Sequence, residues 1–376
     1  MSFAANLSRL RLVRTESVGP ITYRRLLDRF SDPAEALAAL PELARAGGRS
    51  APLRVPSEAE VEREFTLLTR MGGQFLFLGE QNYPEYLAEL PDAPPTLAVL
   101  GDVSLLAQKC IGMVGARNAS ASGLRFAEQL AAELAAQNLV IVSGLARGID
   151  AAAHEGALRT GKTIAVIAGG LDMPYPPENA GLQKRIAEAG LVVAEAPLGT
   201  APIAKHFPKR NRIIAGLGLG LVVIEAAARS GSLLTVRLAN EAGREIFAVP
   251  GAPLDPRSKG GNELIRQGAH LTETAADVLA ALPQNIGPRG KRLPGFREGE
   301  ESFGGPPDSE AAIAAARRDV PGMLGLEGED VDELARRCQL SMAAMQAVIL
   351  ELELGGLVES LPGGRVIPPQ AYEYAP

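Results

Sequence analysis

The chain reads as an α/β protein: a mainly parallel sheet with helices on both faces, a helical domain before it and a small helix–strand module after it. Three observations predict this. Between residues 110 and 282, six short apolar runs rich in β-branched residues alternate with segments of helical spacing. Those runs lack polar alternation, the pattern of strands covered on both faces and so of parallel pairing. The loops that follow them are crowded with glycine, serine and arginine, as suits the carboxyl edge of such a sheet, where ligands bind.

Taken in order, residues 1–75 read as a helical domain. Apolar spacing predicts helices over 23–30, 33–40 and 58–71, broken by a Gly- and Pro-rich stretch at 47–56. Ser17-Val18-Gly19-Pro20-Ile21-Thr22 has the look of a helix-hairpin-helix turn, with a plain helical turn as the alternative. Tyr83-Pro84 and the prolines at 91–95 mark an extended crossing into the sheet domain, expected over 76–285. Its strands are predicted at 111–114, 140–142, 163–168, 191–194, 221–224 and 245–249. Helices are predicted at 124–136, 149–159, 178–189, 210–217 and 233–242. A flexible linker is expected over 286–308 and a last domain over 309–376. There, helical spacing at 331–337 and 341–354, then a strand pair around Pro362-Gly363-Gly364, outline a winged helix. Its second predicted helix carries Glu351 and Glu353, and residues 338–364 hold no Lys or Arg, so a protein-contacting or self-regulating role is expected over DNA reading.

Composition narrows the function. With 376 residues the chain is too long for one core. At 46% hydrophobic and 22% charged it is ordinary for a soluble protein. A net charge of -6 argues against a general polyanion-binding surface, so a nucleic-acid site would have to be local. Cys110 and Cys338 are far apart and in apolar contexts, which suits reduced thiols in a cytosol and no zinc site. Residues 1–20 have no apolar signal core. The longest apolar run, residues 213–224, has 12 residues and three glycines, too short to span a bilayer. The expected location is cytoplasmic.

One stretch stands against the global sign. No acidic residue occurs between Glu195 and Glu225, yet Lys205-His206-Phe207-Pro208-Lys209-Arg210-Asn211-Arg212 carries four cations. Pro208 suits a first helical turn. Cations in that turn oppose the helix dipole, and a bound anion would relieve them while meeting free N–H groups. Phe207 adds a flat face on which a base could stack. A solvated basic helix is the alternative. The candidate partners of this segment are the rim loops Gly115-Ala116-Arg117-Asn118-Ala119-Ser120, Ser143-Gly144-Leu145-Ala146-Arg147-Gly148, Gly169-Gly170-Leu171-Asp172 and Ser230-Gly231-Ser232. Glycine lets backbone approach a ligand closely, and helix starts supply donors. Neither GxGxxG nor GxxxxGK[ST] occurs in these loops, which disfavours standard NAD and ATP sites.

Ser143, Asp150 and His154 invite a triad reading, but Ser143 lacks the G-x-S-x-G elbow, and Asp150 with His154 at i,i+4 suits a structural pair. Asp172 and Glu225 end strands and could approach the ligand edge; Glu225 suits an arginine partner or a helix cap. No metal constellation is present. The expectation is a protein that is not an enzyme and needs no cofactor.

With these residues in view the chain resembles the DNA-processing protein A (DprA, or Smf) family. The resemblance rests on Val114-Gly115-Ala116-Arg117, on Ser143-Gly144-Leu145-Ala146-Arg147-Gly148-Ile149-Asp150-Ala151-Ala152-Ala153-His154, on Lys205 through Leu217, on Arg229-Ser230-Gly231-Ser232-Leu233 and on Phe247-Ala248-Val249-Pro250-Gly251. It implies a Rossmann-like domain flanked by a SAM-like helical domain and a winged helix. It further implies single-stranded DNA binding, dimerisation, and loading of RecA recombinase onto incoming DNA in natural transformation. Carried onto this sequence, the pocket would be lined by Arg117, Lys205, Phe207, Arg210, Asn211 and Arg212. Lys209, Gly115, Ser120, Ser143, Gly144 and Gly170 complete the expected DNA-binding set. Gly218 and the Gly260-Gly261-Asn262 stretch depart from the family's usual residues without altering the phosphate-contacting types. An enzyme acting on a nucleotide-type ligand at the same rim, and an adaptor with an incidental basic patch, remain the other readings.

Overall fold

A computed structural model describes residues 3–283, 308–325 and 327–369. The expected linker over 286–308 lies, apart from Asp308, outside the described residues. The chain divides into two compact units: Met1–Arg63 with Gly287–Pro376, and Glu64–Ile286. The longer second unit is thus inserted between the two halves of the first.

The first half of unit 1 holds α1 (Phe3–Val13), α2 (Pro20–Phe30) and α3 (Pro33–Ala46), and α4 (Glu58–Arg70) leads into unit 2. Pro20 and Pro33 open their helices, where a missing N–H costs nothing, and Asp32 caps α3 by accepting from the Ala34 N–H. Gly19, in extended conformation, ends the turn before α2.

Unit 2 runs β1 (Gly73–Phe77), α5 (Glu85–Ala88), β2 (Thr96–Gly101), β3 (Cys110–Gly115), α6 (Ala121–Ala136), β4 (Val140–Ser143), α7 (Ile149–Thr160), β5 (Thr163–Ile167), α8 (Ala180–Ala189) and β6 (Leu191–Ala194). It continues with α9 (His206–Leu217), β7 (Gly220–Ile224), α10 (Gly231–Glu241), β8 (Glu245–Ala248), α11 (Lys259–Arg266), β9 (His270–Leu271) and α12 (Ala275–Ala281). The strands form one sheet in the order β1-β2-β6-β5-β4-β3-β7-β8-β9. Every pairing from β6 to β9 is parallel, and only the β1–β2 and β2–β6 pairs are antiparallel.

All six expected strands are present, and the reason they were readable is their burial. Val140 and Val142 face one apolar layer with Val166, Ile213 and Val223, while Ile141 faces the other with Ile111, Leu130 and Ile149. A strand buried on both faces has no polar positions to alternate. The antiparallel edge β1–β2 was not expected; β1 straddles the end of the helical reading and β2 lies just past the prolines of the crossing.

The second half of unit 1 holds α13 (Glu310–Met323), β10 (Glu329–Asp330), α14 (Val331–Cys338), α15 (Met342–Gly355), β11 (Glu359–Leu361) and β12 (Arg365–Ile367). The three strands pair in the order β10-β12-β11, giving the winged helix outlined by the sequence. The molecule is therefore α/β with a mostly parallel sheet, an N-terminal helical part and a C-terminal winged helix.

Candidate functional site

The carboxyl ends of β3, β4 and β5 open into a cavity of about 370 Å³. Arg117 and Asn118 line it from the loop after β3, Gly144, Ala146 and Arg147 from the loop after β4, and Ile167, Ala168 and Gly169 from the end of β5. The opposite wall is Met173, Tyr175, Pro176, Pro202, Phe207 and Arg210. Two elements remote in sequence therefore meet here. The Arg117 guanidinium carbon lies 5.1 Å from the Phe207 ring centroid, and the Tyr175 and Phe207 rings are 5.8 Å apart at 60°. Cation–π and tilted aromatic contacts of this kind fix the Phe207 ring against Arg117 and Tyr175.

Arg210 forms the floor. It is 6% exposed, and its Nη1 donates to the Val166 carbonyl at 3.1 Å. Its Nε is buried and has no hydrogen-bond partner among the described residues. Gly144 makes room for it: a Cβ there would fall 1.3 Å from Arg210 Nη1. Nearby, the Asp150 carboxylate accepts from the Gly144 N–H at 3.1 Å and the Ala146 N–H at 3.4 Å, fixing the loop after β4. Burial raises the Asp150 carboxyl above its ordinary value, opposed by Arg210 and by those two N–H groups. Burial likewise pulls Arg210 down to about 10, which leaves it charged at neutral pH.

The remaining expected residues divide by role. Lys205 and Lys209 are exposed at the start of α9, and Asn211 is half-buried one turn on. Arg212, expected to line the pocket, is instead buried and engaged elsewhere. Its Nη2 donates to both Glu195 oxygens at 2.6 and 2.7 Å, and Asp92 lies at 3.6 Å from its Nε. Two positions along a helix rotate a side chain by about 200°, so Arg210 and Arg212 cannot serve one face. Ser143 is fully buried and donates to the Met113 carbonyl at 2.7 Å. Ser120 caps α6, accepting from the Gly123 N–H at 2.9 Å, and its own N–H donates to Glu225 at 2.8 Å. Glu225 thus serves as a cap, one of the two roles expected for it. Gly115 and Gly170 stand behind the lining: a Cβ on Gly115 would lie 1.9 Å from the Ile224 carbonyl oxygen, and the Gly170 N–H donates to Thr200. Asp172 likewise accepts from the Gly199 N–H and ties two rim loops together.

No relay joins Ser143, Asp150 and His154. His154 is buried with Nδ1 2.7 Å from Thr163 Oγ1, and burial, then Arg210, push it down to about 3. Among the described residues no group of His, Cys, Asp and Glu could hold a metal ion, and no helix is long and apolar enough to cross a membrane. The cavity residues that sequence reasoning missed are Met173, Tyr175, Pro176 and Pro202. A signal was present: Met173-Pro174-Tyr175-Pro176 directly follows a glycine-rich rim loop, and apolar residues are unusual in such a place.

The chain is similar to known proteins over most of its length. The family model described as DNA recombination-mediator protein A matches residues 74–283. A DprA-like N-terminal HHH domain matches 4–66, and a DprA winged helix domain matches 304–364. Protein Smf of Escherichia coli is 39% identical over 289 residues, covering 76% of this chain and 74% of its own. The DNA processing protein DprA of Streptococcus pneumoniae is 49% identical over 199 residues, 53% of this chain and 70% of that protein. The solved structure of the Streptococcus pneumoniae protein has a TM-score of 0.66 at 36% identity, covering 76% of this chain and 99% of that one. A structure of DNA processing protein A from Helicobacter pylori, described by its single-stranded DNA binding mode, has a TM-score of 0.50 at 31% identity over 56% of this chain and 95% of that one. On these matches, the chain belongs to the DNA recombination-mediator protein A family, also called DprA or Smf.

Proposed function

We propose that this protein binds single-stranded DNA at the carboxyl rim of the unit 2 sheet without catalysing a reaction on it, and that it passes the strand to RecA recombinase. One observation carries the binding step: a buried guanidinium, Arg210, with an unsatisfied donor at the floor of a cavity whose mouth is framed by Arg117 and Phe207. A volume of about 370 Å³ is near the small end of ligand pockets, which run to about 300–1,000 Å³, and suits one unstacked base. Outside it, the exposed Lys205 and Lys209 meet the backbone phosphates. Base stacking on Phe207 is sequence-tolerant, because every base has a π-face.

The test is a salt titration of binding to single-stranded oligonucleotides, duplex DNA and a mononucleotide. Affinity for the single strand falls with salt at a log–log slope of roughly -0.7 per phosphate neutralised. Phe207→Ala loses on the order of 1–3 kcal/mol of binding. A mononucleotide held as tightly as a long oligomer would favour the reading as an enzyme on a nucleotide-type ligand. The family relationship supports protection of incoming DNA, RecA loading in natural transformation, a homodimer and a cytoplasmic location. Strand exchange by RecA on DNA pre-coated with a single-strand-binding protein tests the loading step, and sedimentation tests the dimer.

A further inference from the structure

The pair α14–α15, joined by Gln339-Leu340-Ser341, has the layout of a helix-turn-helix, whose second helix enters the major groove in DNA-reading proteins. In this chain α15 is occupied on both sides. Met345, Val348, Ile349 and Leu352 fill the core of the winged helix itself. Leu350 and Leu354 sit in a second core with Leu12, Tyr23, Leu26 and Leu40 of the N-terminal helices. The approach is backbone-tight. A Cβ on Gly47 would fall 1.8 Å from the Glu351 carbonyl oxygen, and one on Gly355 would fall 2.2 Å from the carbonyl oxygen of Gly47. The two acids of α15 are paired as well. Glu353, its side chain 5% exposed, accepts from Arg25 at 3.2 Å and from the Ser360 N–H at 2.8 Å, and Arg25 also donates to the Ser360 hydroxyl at 2.8 Å. Glu351 accepts two bonds from Arg317 at 2.6 and 3.1 Å.

We infer that α15 is a docking helix whose partner is the α2–α3 pair at the other end of the same chain, and that the winged helix therefore reads no DNA groove through it. Groove reading needs exposed donors on the inserted helix. The residues α15 leaves exposed are Met342, Ala343 and Gln346, with no cation among them. Its two acids, unfavourable beside phosphates, are neutralised by Arg25 and Arg317 within the chain. An undocked α15 would bare Leu350, Leu354 and an unpaired Glu353, which is costly for apolar surface and buried charge alike. The contact is independent of what unit 2 binds.

The experiment uses the full-length protein carrying Arg25→Glu, Glu353→Arg or both, read by amide hydrogen exchange. Each single reversal raises exchange across residues 20–46 and 342–355 at least about tenfold, because local opening becomes easier. The double reversal brings exchange back to within about threefold of the parent, the signature of a direct pair. Arg25→Gln and Glu353→Gln move exchange the same way by less, and serve if a reversal does not fold. Exchange unchanged in all single variants would remove the docking contact. In the parent background, Met342→Ala and Gln346→Ala leave duplex affinity unchanged; a loss of about threefold or more in either would make α15 a reader and overturn the inference.

Discussion

The sheet rim of unit 2 and helix α15 of unit 1 are both places where folds of their kind meet nucleic acids, and this chain treats them in opposite ways. At the rim, Arg117, Lys205 and Lys209 are exposed, and Arg210 keeps a buried Nε without a partner among the described residues. On α15 the acids are neutralised, the apolar residues are packed, and no cation reaches the surface. Fold type therefore says little about where a strand would lie; unspent donors and free flat faces say more. The same contrast recurs within a single helix. Arg210 faces the cavity with one bond to a carbonyl, whereas Arg212 is braced by Glu195 and Asp92.

That helix offers the largest expected effect. Arg212→Ala takes the guanidinium away from Glu195 and Asp92, and loses roughly 3 kcal/mol of stability in chemical denaturation, as broken buried pairs do. The folded fraction of that variant keeps its oligonucleotide affinity. Arg210→Met loses comparable stability and also loses binding, measured by fluorescence anisotropy. Equal binding losses in the two variants would erase the distinction drawn between them.

A smaller effect comes from beneath the rim. His154 is depressed to about 3 in the folded chain, so the unfolded chain binds more protons below its ordinary value near 6.5. Stability from this group is complete above that value and is lost as pH falls. Between pH 6.5 and 5 the loss approaches about 2 kcal/mol. His154→Gln flattens that stretch of the stability profile, read by thermal melts in buffers across the range. Smallest is the change from a single surface cation. Lys205→Ala lowers single-strand affinity about equally for all sequences and reduces the salt slope by roughly 0.7.

The parallel sheet was legible because burial on both faces writes unbroken apolar runs, as in 140–142 and 221–224. Strand β2, between the edge strand β1 and β6, was obscured by the prolines at 91–95, which read as extended chain without revealing a partner. At the site, Arg117, Phe207 and Arg210 were legible from composition at a rim. The role of Arg212 was not, since Asp92 is 120 residues away and Glu195 had been taken as the border of an acid-free stretch. Helical rotation separates Arg210 from Arg212, and only a three-dimensional neighbour tells which face is wet. Tyr175 and Met173 were missed because loop residues carry no periodicity from which to read their direction.

The insertion of unit 2 between two halves of unit 1 has a mechanical consequence. Helices α1–α3 and the elements from α13 to β12 belong to one body, and the α3–α15 contact bridges them. A pull applied between α1 and β12 is carried by that bridge first, and the sheet comes under tension only after the bridge gives way.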